Sequence, residues 1–149
     1  MDFAIRRNMR AEGQKGVSAV EFAMLLPLLI LLLLGSVEIG LLLYNQQVLT
    51  NASREGARAG ITRKTVSEIG VIVDDYCDGR LMTWASGTWN KGDGNPPTIV
   101  VAGAGGAFQA DLTVNVQYDH NFLVAGIVGL NQKTLAARTV MKMELDPSS

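Results

Sequence analysis

The pattern of hydrophobic and polar positions divides the chain into an apolar N-terminal segment and a C-terminal part in which apolar and polar residues alternate. No charged residue occurs from Phe22 to Val37. Mostly apolar residues on both sides of this uncharged stretch extend the apolar run to residues 17–44. At about 1.5 Å per residue a helix of this length measures roughly 42 Å, and about 20 residues are enough to cross a bilayer. The run therefore predicts one transmembrane helix, in which Pro27 removes a backbone donor and bends the chain near Ala23.

Two further helical segments are predicted behind the apolar run. Residues 45–64 lack a helix breaker before their glycines and predict a helical stem that continues the membrane helix. Thr65 and Glu68 have the spacing of a capping box, so a second helix is expected to run to about Tyr76.

The rear of the chain has the period-two pattern of strands with one buried face. Residues 111–120 and 133–145 alternate between apolar and polar, and residues 98–103 predict another strand. The predicted buried positions are Leu112, Val114, Val116, Tyr118, Leu135, Ala137, Met141, Met143 and Leu145. The expected fold is therefore α+β: a long N-terminal transmembrane helix continues into a stem, which packs on a small antiparallel sheet in a head formed by residues 65–149.

Charge gives the predicted membrane helix a direction. The first 16 residues carry four basic and two acidic side chains, a net of +2, which leaves −3 for the rest of a chain whose total is −1. Basic flanks stay in the cytoplasm, so the N-terminus is expected there and the head on the periplasmic side of a bacterial inner membrane. The pI near 5.8 gives no basic surface for nucleic acid.

The chain has one cysteine and one histidine, which limits its chemistry. A single cysteine, Cys77, cannot form an intramolecular disulfide, although a disulfide between two chains stays open. Its thiol is expected to be half-buried. His120 follows Asp119, but neighbours on a strand point to opposite faces. Trp84 and Trp89 are expected to cover the edge of the core, with ligand stacking as the alternative. No catalytic set is apparent, so no enzyme activity, metal or cofactor is predicted.

Gly16 and Glu21 lie at the N-terminal end of the apolar run. Gly16 follows a short basic leader, four uncharged residues come next, and Glu21 is fifth after the glycine. This arrangement resembles the processing site of type IV prepilins, in which a membrane peptidase cuts after the glycine. The resemblance implies removal of leader residues 1–16, a mature chain that begins at Val17, and a role for Glu21 in setting the register between subunits. Classical type IV pilins have Phe or Met at position one, and Val17 departs from that preference.

Two features of the predicted helix leave alternatives open. Small side chains recur every four residues at Ala52, Gly56 and Gly60, and they permit close approach by a partner helix or by the chain's own head. The opposite side carries three charged residues, Arg54, Glu55 and Arg58. Glu38, near the end of the apolar run, is expected at the outer membrane interface, with pairing to a partner helix as the alternative.

The two motifs together resemble the TadE-like family of minor pilins and pseudopilins from tight-adherence (Flp) pilus systems. The resemblance rests on "GVSAVEFAMLLPLLILLLLGSVEIG" and "NASREGARAG", from Gly16 to Gly60. It implies a part in pilus assembly, with a prepilin peptidase, other minor pilins, the major Flp pilin and the inner-membrane assembly platform as partners. Alternatives are a membrane-anchored periplasmic binding or adhesin domain, and a secreted enzyme on an uncleaved anchor. A cleaved signal peptide is disfavoured because "ARAG" lies some 20 residues behind the apolar core.

Overall fold

The computed structural model describes residues 3–84 and 87–143, with side chains from residue 16 onward except that of Val128. The chain forms two compact units that divide after Val37. Its first element, helix α1, is Phe3–Gly60 and contains Pro27. From Gly16 onward α1 is long and apolar enough to cross a membrane, and none of its most apolar window is buried within the protein. The predicted long apolar helix is confirmed.

The second unit, residues 38–149, contains the remaining elements. These are α2 (Val66–Cys77), β1 (Met82–Thr83), β2 (Gly87–Thr88), β3 (Thr98–Ala102), β4 (Asp111–Asn121), a 3-10 helix (Ala125–Val128) and β5 (Gln132–Lys142). β1 and β2 form a short antiparallel pair in a stretch that has no clear sequence pattern. The α+β prediction is confirmed by a helix followed by a small antiparallel sheet.

The main sheet has the strand order β3-β4-β5, and both pairings are antiparallel. Val114 at its centre pairs with Val101 on one side and Thr139 on the other. The predicted inward positions of β4 are all buried, and those of β5 are buried at Leu135 and Ala137. Leu145, which was also assigned to this face, lies outside the described residues. The alternation therefore predicted the correct buried face of β4 and of β5.

The stem part of α1 and helix α2 cover the buried face of the sheet. Leu49 on the stem, Ile69 and Val73 on α2, and Trp89 in the loop after β2 all join the same core. On the stem, Nε2 of Gln46 donates to the carbonyl oxygen of Ala136 at 2.9 Å, which ties α1 to β5. The stem is thus a wall of the head's hydrophobic core.

The connection between α1 and α2 is set by local chemistry. Oγ1 of Thr65 accepts from the amide of Glu68, and the Glu68 carboxylate accepts from the amide of Thr65, so the predicted capping box is present. The hydrogen bonds that the amide and the hydroxyl of Thr65 donate to the Glu68 carboxylate lower the pKa of Glu68. α1 ends at Gly60, before the predicted end of the stem at residue 64, because the chain must turn to reach the cap. Arg63 in this turn has a φ of 64°, the left-handed conformation.

Candidate functional site

The three residues of the predicted processing motif lie on α1. A Cβ added at Gly16 would meet nothing within 4 Å, and Val17 is exposed. Val17 and Glu21 are four residues apart, so they share one face of the helix at successive turns. A new α-ammonium at residue 17 would therefore form one turn away from the Glu21 carboxylate.

Behind this motif α1 exposes a continuous apolar surface. The exposed large side chains are Val17, Val20, Phe22, Met24, Leu25, Leu26, Leu28, Leu29, Ile30, Leu31, Leu32, Leu33, Leu34 and Val37. A soluble domain rarely exposes an apolar patch of such extent, whereas a bilayer would cover it on all sides. This part of the helix fits a membrane-anchored protein.

The ridge of small residues faces the head of the same chain. Ala52 is fully buried, a methyl group at Gly56 would overlap Cγ2 of Val73, and one at Gly60 would overlap Cδ2 of Leu112. The small side chains therefore let the stem approach α2 and β4 closely. Arg54, Glu55 and Arg58 are exposed on the other side of the helix.

Glu38 is buried by the chain's own head, and its expected position at the outer membrane interface stays a prediction. Its side chain is only 3% exposed, and its carboxylate accepts the backbone N–H groups of Leu123, Val124 and Ala125. The bonds to Val124 and Ala125 measure 3.0 and 2.9 Å. These amides stand at the start of the 3-10 helix, where donors have no partner within the helix. A carboxylate in an apolar stretch is thus compensated by the chain's own loop.

A second buried polar contact joins the stem to β4. Asn45 pairs with the backbone of Met82: its Oδ1 accepts from the amide at 2.8 Å, and its Nδ2 donates to the carbonyl oxygen at 2.9 Å. The same Nδ2 lies 3.1 Å from Nδ1 of His120. Because this nitrogen is a donor, Nδ1 of His120 is the acceptor and the ring proton sits on Nε2. Burial lowers the pKa of His120, which also favours the neutral ring.

His120 lines a cavity of about 540 Å³ at one end of the head. The wall also includes Trp84, Trp89 and Tyr118. Among the described residues, Nε1 of both tryptophans and Nε2 of His120 are buried without a hydrogen-bond partner. The wall is thus partly aromatic, and the unpartnered nitrogens of these residues are buried beneath its surface. In the part of the chain that is described, no three His, Cys, Asp or Glu side chains are grouped so that they could hold a metal ion.

Cys77 is fully buried at the end of α2, so the prediction of a half-buried thiol is wrong. Burial raises the pKa of its thiol to about 12, and the nearby Asp74 carboxylate acts in the same direction. The apolar spacing of α2 brings Ile69, Val73 and Cys77 onto one inward face. The thiol therefore acts as a small core side chain, as a neutral buried cysteine does.

Comparison with known proteins adds one match to this geometry. Residues 16–58 match the family model of TadE-like proteins. Over these residues the chain is similar to TadE-like proteins. The match confirms the resemblance of the two motifs to the TadE-like family. Neither a curated protein nor a solved structure matches the chain.

The TadE-like segment begins at the predicted cleavage glycine and ends at Arg58, two residues before the end of α1. It includes Gly16, Val17 and Glu21, and also Glu38 and Asn45, which sequence reasoning did not connect to the head. A signal for Glu38 was present, because an apolar stretch that keeps a carboxylate needs a partner for it. The partners, however, are backbone amides, which leave no mark in the sequence.

Proposed function

We propose that the protein is a minor pilin or pseudopilin that takes part in the assembly of a tight-adherence pilus. The observation that carries the proposal is the spacing of Gly16 and Glu21 in front of an exposed apolar helix, within the segment that is TadE-like. A prepilin peptidase cuts after Gly16 on the cytoplasmic side. Residues 17–44 then remain in the inner membrane, and the stem and head lie in the periplasm.

Glu21 and the new N-terminus give this helix a means of docking. In a medium of low dielectric constant, a carboxylate and an ammonium are far more stable as a pair than as separate ions. A pair between Glu21 and the α-ammonium of a neighbouring subunit would fix the axial register of the two helices, much as a buried polar residue fixes the register of a coiled coil. The partners are other minor pilins, the major Flp pilin and the assembly platform.

Ala52, Gly56 and Gly60 have a different part in this scheme. They hold the stem against α2 and β4 of the same chain, so they position the head rather than a partner. The exposed side of the stem, with Arg54 and Arg58, remains available to other pilus components.

One observation favours a second function, a membrane-anchored periplasmic binding domain that does not assemble. It is the cavity of about 540 Å³ in the head, whose wall includes Trp84, Trp89, Tyr118 and His120. The two functions differ at the N-terminus, because a plain anchor has no need to lose residues 1–16.

Substitution of Glu21 tests the assembly function. Truncation of one member of a buried ion pair costs about 3–5 kcal/mol, which corresponds to roughly a hundredfold to a thousandfold in an association constant. Glu21→Ala should therefore abolish surface piliation and crosslinks to other pilins, while membrane insertion and cleavage stay intact. Glu21→Asp keeps the charge on a shorter side chain and should be intermediate. Wild-type piliation by Glu21→Ala, at normal protein level in a strain with no other copy, would favour the plain anchor.

A further inference from the structure

The connection between β4 and β5 is residues 122–131 and ends in the polar residue Asn131. The nine residues before Asn131, residues 122–130, form an apolar loop with the sequence "FLVAGIVGL". It contains no charged or polar side chain. Three of its large side chains point into solvent: Leu123, Ile127 and Leu130 are 54%, 75% and 62% exposed. A short loop that presents three apolar side chains at its surface is typical of a segment that meets another apolar phase.

The apolar loop is bound to α1 at Glu38, which lies within the apolar run of residues 17–44. Its amides at residues 123–125 bind the carboxylate of Glu38. Glu38 precedes Tyr44, the end of the apolar run, by six residues, which corresponds to about 9 Å along the helix axis. Within this stretch Ile39, Leu43 and Tyr44 are exposed and apolar. The loop therefore stands beside exposed apolar helix rather than beside the polar stem.

Most backbone amides of the apolar loop have hydrogen-bond partners within the protein. Besides the three amides on Glu38, the amides of Phe122, Ile127, Gly129 and Leu130 donate to carbonyl oxygens of residues 131, 124, 126 and 125. Backbone groups in lipid must find their partners within the protein, since hydrocarbon offers none.

We propose that the apolar loop inserts Leu123, Ile127 and Leu130 into the leaflet of the membrane that faces the head, beside residues 39–44 of α1. The partner is the acyl-chain region of the bilayer. The loop gives the protein a second membrane contact, and the bond to Glu38 holds that contact at a fixed depth relative to the helix. The proposal rests on membrane anchorage through α1 and requires neither cleavage after Gly16 nor assembly into a pilus.

Lipid is favoured over a protein partner because the apolar loop adjoins a part of α1 that itself needs an apolar surrounding. The apolar loop is bound to Glu38, residues 39–44 of α1 follow directly after Glu38, and the exposed ones among them already need an apolar surrounding. The apolar loop offers no charge or unpaired polar side chain by which a specific protein could recognise it. A second copy of the chain is the competing occupant that the experiment must exclude.

Fluorescence quenching of the full-length chain in phosphatidylcholine vesicles tests the insertion. A cysteine at residue 127, as Ile127→Cys, is labelled with an environment-sensitive dye, while native Cys77 is buried and stays unlabelled. The control is Phe108→Cys, which replaces another exposed apolar residue, 51% against 75% for Ile127, in the loop at the opposite end of β4. Lipids with a nitroxide on the acyl chain should quench most of the emission at residue 127 and little of it at residue 108.

Two outcomes would overturn the proposal. Equal, weak quenching at residues 127 and 108 would place the apolar loop in water. Quenching or a blue shift at residue 127 that disappears when the protein is diluted in excess lipid would assign the loop to a second copy of the chain. Quenching that persists at high dilution supports insertion into lipid, whether or not the leader has been removed.

Discussion

A carboxylate oxygen of Glu38 lies 3.0 Å from the amide nitrogen of Val124, a residue 86 positions later in the chain. Through this contact and its two neighbours, the helix that carries the membrane segment fixes the loop between β4 and β5. The loop in turn sets where β5 begins, and β5 forms one edge of the sheet. The end of the apolar run and the head are therefore parts of one folded unit.

Removal of the Glu38 carboxylate should loosen the apolar loop specifically. Glu38→Ala leaves buried amides at residues 123–125 without an acceptor, and each such donor costs about 1–3 kcal/mol. The loss of even one of these hydrogen bonds should speed amide exchange at these residues by roughly tenfold to a hundredfold. Hydrogen exchange with mass spectrometry measures this change. Glu55→Ala, an exposed carboxylate on the same helix, is the control, and equal exchange in both variants would contradict the role of Glu38.

Close packing of the stem makes Gly56 intolerant of a single methyl group. In Gly56→Ala the new Cβ would overlap Val73 and should destabilise the protein by about 1–3 kcal/mol, the usual range for an overpacked core. Gly70→Ala is the matched control, because a Cβ on this helical glycine meets nothing within 4 Å. Alanine is the better helix former, so that variant should gain about 0.5–1 kcal/mol. Thermal unfolding of the two variants in detergent should move in opposite directions.

Stability should fall as the pH drops through the range in which histidine titrates. The pKa of His120 is lowered in the folded protein, so below the unfolded value of 6.5 the unfolded chain binds a proton that the folded chain does not. The free energy of unfolding is therefore fully present above pH 6.5 and declines below it, by at most about 1.4 kcal/mol per pH unit for one proton. Since His120 is the only histidine, His120→Gln should remove this slope between pH 7 and pH 5. An unchanged slope in that variant would assign it to other groups.

Cys77 should resist chemistry that exposed thiols undergo readily. Because its thiol is buried and its pKa is raised to about 12, almost no thiolate exists at pH 8. Iodoacetamide at pH 8 should leave the folded protein unmodified and should alkylate Cys77 completely after denaturation. A disulfide-linked dimer of the native protein on a non-reducing gel would be incompatible with this burial.

The sequence predicts those parts of the fold that depend on a repeating pattern. The alternation at Leu112, Val114 and Val116 identified the buried face of β4, and the pair Thr65 and Glu68 located the start of α2, because strands and caps have a fixed local spacing. The apolar run behind Gly16 likewise predicted a long apolar helix. In each case the residues that interact are close in the sequence or belong to one period.

The buried polar contacts of the head had no such pattern. Asn45 meets Met82 and His120, which are 37 and 75 positions away, and Glu38 binds backbone amides of the apolar loop. Only the folded chain brings these groups together, and an amide donor is present at almost every position. The sequence therefore marked Glu38 as a carboxylate in need of a partner but could not say which partner.

The mass of the mature N-terminal peptide tests the central claim of the proposed function most directly. In cells with an active prepilin peptidase, the membrane-bound protein should begin at Val17. Gly16→Val should keep the leader, because a branched side chain obstructs the peptidase, whereas Gly35→Val should be cut normally. A Cβ at either glycine meets nothing within 4 Å, so neither substitution disturbs the fold and the pair separates cleavage from packing. An intact leader on the membrane-inserted wild-type protein in those cells would contradict the assignment as a processed pilin.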